Sequence, residues 1–120
     1  MVNSYSIHIP DWHPATLNKL MRNRWASAKL KKSDREIIAH YFRNVPKAKG
    51  KRFVHFTITL RKGQRAADPD AYYKSLLDSL VHAKMLMDDN RQGVEISQPA
   101  FIRGERMATL ITIGDCINSQ

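Results

Sequence analysis

The chain has 120 residues, one domain's worth and too short for two hydrophobic cores, and its 42% hydrophobic and 26% charged content argues against disorder or a fibrous repeat. No apolar run approaches the roughly 18 residues of a membrane span, so no membrane role is expected; residues 1–10 lack the charged and apolar regions of a signal peptide, so secretion by that route is not expected either. A lone cysteine, Cys116, makes neither an internal disulfide nor the sulfur half of a zinc site, which fits a reducing, cytoplasmic compartment and a fold that rests on packing.

Twenty basic against 11 acidic residues give a net charge of +9, which favours a polyanionic partner. The charge is unevenly placed: residues 1–65 carry 15 Lys and Arg against 3 acids, whereas residues 66–120 carry 5 against 8. A basic surface attracts phosphate backbones, and an acidic cluster beside it repels them unless a bound cation neutralises it.

In chain order, residues 5–10 alternate Tyr5, Ile7 and Ile9 with Ser6 and His8, which predicts a first strand ended by Pro10. Residues 11–25 read as a loop with Lys19, Arg22 and Arg24 close together. Leu30, Ile37, Ile38, Tyr41 and Phe42 form a helical stripe over about residues 27–44, and Ser33 with Glu36 has the form of a capping box at which that helix could restart. After a turn over 45–51, Phe53, Val54, Phe56, Ile58 and Leu60 alternate with His55, Thr57 and Thr59 as a central strand. A basic loop with Arg61, Lys62 and Arg65 leads to a second helix over about residues 69–84, marked by Asp68 as N-cap and Pro69 at its first position. Residues 94–102 and 107–113 read as two strands forming a hairpin. The order β-α-β-α-β-β predicts one α/β or α+β domain over residues 1–120, a small mixed sheet with two main helices.

The chemistry concentrates around the second helix. Asp70, Lys74 and Asp78 are spaced by four and so share a helix face, Asp68 stands just before it, and Asp88 and Asp89 follow its end. Each has an ordinary role as a cap, an i to i+4 ion pair or a polar loop. Together, carboxylates with a lysine are what magnesium-dependent phosphodiester cleavage requires, because a hard cation takes oxygen ligands and an ammonium stabilises charge on the phosphorane.

The run Asp68, Pro69, Asp70, Lys74, Leu77, Asp78, Leu80 and then Asp88, Asp89 resembles the D-x-D-N-x-x-K, L-D-A-L and D-D pattern of RusA-type Holliday junction resolvases, with matching spacing between motifs. The first strand and closing strands are similar as well, and Ala71 stands where that family usually has Asn, with Ala66 and Ala67 interrupting its basic run. The resemblance implies a homodimeric, Mg²⁺-dependent endonuclease that resolves four-way DNA junctions in recombination and repair, bacterial or phage-encoded, with no organic cofactor. It implies Asp68, Asp70 and Asp89 as metal ligands with Asp88 beside them, and Lys74 as the catalytic lysine. Lys19, Arg22, Arg24, Arg61, Lys62, Arg65 and Lys74 are the expected DNA contacts. A two-fold pair of subunits also follows from the need to nick two opposed strands.

His8, His13, His40, His55 and His82 form no H-x-x-x-H pair, and no G-x-S-x-G elbow is present. Trp12 and Trp25 flank the basic loop and are expected either in the core or stacked on unpaired bases. The alternatives are a nonenzymatic DNA-junction-binding module of the same fold, and a basic RNA-binding protein or ribonuclease.

Overall fold

Around one central strand, β2 (Arg52–Arg61), the computed structural model arranges every other strand of a mixed sheet. The structure describes residues 4–16, 24–67, 69–88 and 93–116, with Pro69 and Asp70 described by backbone alone. β5 (Ala108–Asp115) pairs antiparallel with one edge of β2, and β1 (Ser4–Pro10) pairs antiparallel with β5 on its far side. Along the other edge of β2 lie two short parallel strands end to end, β3 (Val94–Ile96) beside Arg52–Val54 and β4 (Ala100–Gly104) beside Thr57–Arg61. β1 and β2 therefore run in the same direction with β5 inserted between them.

Two helices make the crossovers, α1 (Arg24–Tyr41) between β1 and β2, and α2 (Tyr73–His82) between β2 and β3. Both pack on one face of the sheet. Val54, Phe56, Ile58 and Leu60 of β2 are buried there with Ile111 and Ile113 of β5, against Ile38 and Phe42 from the α1 side and Leu76 and Leu80 of α2. The alternating pattern read in β2 is thus the pleat of a half-covered strand, each such side chain contributing about 1.5–3 kcal/mol of transfer free energy. Among the described residues no helix packs on the opposite face, where Ile102 and Leu110 are exposed.

Three expectations are corrected. The first helix starts at Arg24 rather than near residue 27, and Ser33 lies in its interior; the capping-box pattern is overridden because Asp34, next in sequence, belongs to the buried face. The second helix is a 3₁₀ turn (Pro69–Tyr72) followed by ten residues of α-helix, ending before Lys84. The closing hairpin does not form: β4 and β5 lie on opposite edges of β2, and the segment 94–102 is broken at Pro99, whose missing N–H cannot join a ladder. The connection after β4 instead passes over the end of β2, where Arg103 donates to the carbonyls of Arg61 and Gln64, and Gln64 Nε2 donates to Met107 Sδ.

Candidate functional site

The basic loop leaves β2 at its C-terminal end with Arg61, Lys62 and Arg65 exposed. It turns back because the amide of Ala67 donates to Tyr72 Oη at 3.1 Å, and Tyr72 is itself buried beside the edge of the His13 ring. The 3₁₀ turn that follows carries Asp70 and the buried Ala71, and delivers the chain into α2. Ser75, Leu76, Ser79 and Leu80 form the inner face of α2, which leaves Lys74, in its first turn, in solvent. No side chain caps α2 at Tyr72, the residue that precedes it.

Asp78, one turn beyond Lys74, does not pair along its own helix. Arg35 of α1 reaches across with Nε and Nη2, each 3.0 Å from Asp78 Oδ2. With both side chains about 40% exposed the pair contributes at most about 1 kcal/mol, so its consequence is the register between the helices rather than stability.

α2 ends in a Schellman turn: Met85 N–H donates to Leu80 O at 2.9 Å, Lys84 N–H donates to Val81 O at 3.0 Å, and Lys84 takes φ +63°. The segment after it docks on the turn before β2, because Ala48 N–H donates to Lys84 O and Arg52 Nη1 donates to Met85 O at 3.0 Å. Met85 and Leu86 are core, and Met87 and Asp88, which follow, are exposed. Gly93 lies close against Asp88: a Cβ there would fall on the backbone of Asp88, 2.8 Å from its carbonyl carbon.

Of the expected site residues, Lys74, Asp88, Arg24, Arg61, Lys62 and Arg65 are exposed. Asp68, Asp89, Lys19 and Arg22 lie outside the described residues, as does the side chain of Asp70. Among the described residues no group of three or more His, Cys, Asp or Glu is gathered for a metal ion. The donor set expected from the sequence, carboxylates only, suits a hard divalent cation by its chemistry.

Two buried charges were not singled out in the sequence. Asp34 of α1 is 4% exposed and accepts hydrogen bonds from Trp12 Nε1 at 3.1 Å, Ala15 N–H at 2.9 Å and Ser75 Oγ at 2.6 Å. It therefore ties the segment after β1 to both helices, and it settles Trp12 as a core residue. Trp25, at the start of α1, is exposed. Arg52 is buried on the helix side of β2, with Nε 2.8 Å from Asp115 Oδ1, Nη2 donating to Pro46 O, and the Tyr5 ring 5.8 Å away. Both lie in register with apolar neighbours, Asp34 between Leu30 and Ile38, Arg52 two before Val54, so periodicity was the available signal.

Partial burial and the neighbouring Glu95 carboxylate push the Cys116 thiol above its ordinary range, which keeps it protonated at neutral pH. Among the described residues no helix is long and apolar enough to cross a membrane. No protein-family model matches the chain, and no curated protein matches it.

Proposed function

We propose that the chain is a Mg²⁺-dependent, structure-selective endonuclease that resolves four-way DNA junctions by paired phosphodiester hydrolysis, acting as a homodimer. The observation that carries this reading is the spacing of Asp68, Asp70, Lys74, Asp88 and Asp89 around one short helix. The exposure of Lys74 at the start of α2 and of Asp88 beyond its end supports it, as does the exposed basic trio Arg61, Lys62 and Arg65 immediately upstream.

In this reading Asp68, Asp70 and Asp89, with Asp88 beside them, hold the cation. Bound Mg²⁺ supplies a polarised phosphoryl oxygen and a water acidic enough to act as nucleophile. Lys74 offers its ammonium to the oxygen on which charge develops, either the equatorial oxygen of the phosphorane or the leaving oxygen. Arg24, Arg61, Lys62 and Arg65, with Lys19 and Arg22, hold the flanking phosphates and set the register of the DNA without reading its sequence. A two-fold dimer presents two such centres to opposed strands of one junction.

Ala71 favours a second reading. It is buried where the resolvase pattern has an Asn, so the amide that could orient a carboxylate or substrate is missing, as expected of a DNA-junction-binding module without turnover. Cleavage of labelled four-way junction DNA beside linear duplex of the same sequence, in Mg²⁺ or EDTA, separates the two. Paired nicks confined to the junction, abolished by EDTA and by Asp70→Asn, are expected. Junction binding without nicks, equal in wild type and Asp70→Asn, would make the protein a binding module.

A further inference from the structure

A valley of about 510 Å³ runs along α1, lined by Lys31, Lys32, Arg35 and Glu36, with Ala28 and Ala39 at its ends, and is met from α2 by His82. The helices run in the same direction along it, since Asp34 meets Ser75, Arg35 meets Asp78, and Ala39 and His82 line the same cleft. One turn before the Arg35–Asp78 pair stands a lysine on each helix, Lys31 on α1 and Lys74 on α2. The valley reaches His82, which lies about 12 Å further along α2 than Lys74, the lysine of the proposed active site, a length of roughly three to four base-pair rises.

Its chemistry suits one kind of occupant. The alanines and the aliphatic stems of the lysines leave an apolar floor, against which sugar rings can lie, while the ammonium groups stand at the rim where phosphates pass. Among the described residues Lys31 and Lys32 have no acid partner, whereas Arg35 is paired with Asp78. Lys31 and Lys32 are thus the cations available to an outside anion, with Glu36 the carboxylate that limits how deeply a phosphate sits.

We infer that this valley is a second phosphate track, which holds the sugar-phosphate backbone of a DNA strand leading away from the scissile bond, with Lys31 and Lys32 as its contacts. The inference rests on the nuclease reading, because it takes Lys74 as the point where the strand is cut.

The test is the salt dependence of binding to four-way junction DNA in EDTA, comparing wild type with Lys31→Gln/Lys32→Gln and with Lys47→Gln/Lys49→Gln. The last pair removes the same charge from exposed lysines of the turn before β2. Loss of two phosphate contacts should lower the slope of log K against log salt by about 2 and weaken binding at low salt about tenfold or more. The control pair should leave the slope close to that of wild type. Equal slopes in the two double variants, or a slope loss seen on an RNA duplex but not on DNA, overturns the track. If the double variant does not fold, Lys32→Glu, at an exposed position, replaces it, with a slope loss of about 1 expected for the one contact removed. A wild-type protein that cleaves junctions while the valley variant binds like the control refutes the track alone, whereas a wild type that binds no DNA refutes the nuclease reading with it.

Discussion

Asp34 and Ser79 show opposite uses of a polar atom in the core. Asp34 is buried as a carboxylate with donors from Trp12, Ala15 and Ser75 around it, so its charge is spread over hydrogen bonds rather than matched by a cation. Charge-assisted bonds of this kind are worth about 1.5–3 kcal/mol each but are not additive, and cutting the carboxylate away also strands the donors. Asp34→Ala is therefore expected to destabilise the fold by about 3 kcal/mol in urea titration, with Asp34→Asn losing less because one acceptor oxygen remains. Ser79 is the reverse case: among the described residues its Oγ is fully buried without a hydrogen-bond partner. Ser79→Ala removes that cost and suits a helix better, so a gain of about 1 kcal/mol is expected, read as a rise of about 4 °C in melting temperature. A fall in melting temperature would mean that the hydroxyl is satisfied by ordered water.

Ends of elements carry the other testable features, and they are also where sequence patterns and structure part. The core stripe of α1 and the alternation of β2 were legible because period 3.6 and period 2 record which face is buried. The ends were not, because tertiary contacts set them. Lys84, which falls in phase with Leu80 and so reads as helical, is instead the left-handed residue of the Schellman turn, a conformation that costs a non-glycine residue about 1–2 kcal/mol. Lys84→Gly should accordingly stabilise the protein by about 1 kcal/mol in denaturant unfolding, as its side chain is exposed. The hairpin expected of the last strands failed for a related reason: alternation identifies a strand but not its neighbour, and only the passage of the chain over the end of β2 separates β4 from β5. Gly93 belongs to the same scale. Its absent side chain lets Gly93 approach the backbone of Asp88, so Gly93→Ala must move that backbone, and junction cleavage should fall by more than tenfold while β2 and α2 keep their amide-exchange protection. Cleavage at the wild-type rate would detach the geometry of this loop from activity.

At the scale of the whole molecule the uneven charge becomes a spatial arrangement. The strongly basic first half contributes α1, the exposed end of β2 and the loop beyond it, and the acidic second half contributes the residues before and after α2. The sequence displayed this asymmetry and the spacing of the acids, but not that Arg35 would take Asp78 for a structural pair, which leaves Lys74 as the cation at the proposed centre. Nor did it display the valley along α1, since the periodicity of that helix sets its apolar stripe apart from Lys31 and Lys32 without showing what lies beside them. An arrangement in which Asp68, Asp70, Asp88 and Asp89 converge carries mutual repulsion that a divalent cation relieves in the folded state alone. Linkage then requires Mg²⁺ to stabilise the fold: at a hundred times its dissociation constant the gain is about 2.7 kcal/mol, or about 10 °C in melting temperature for a chain of this length. Asp70→Asn, by removing one anionic ligand, should weaken that response by about half, whereas in the absence of Mg²⁺ the same variant should melt at or above the wild-type temperature because one repelling charge is gone. A melting temperature indifferent to Mg²⁺ in both proteins would argue that these carboxylates do not converge on a cation, and the acidic half of the molecule would then be a solvated counterweight to the basic one.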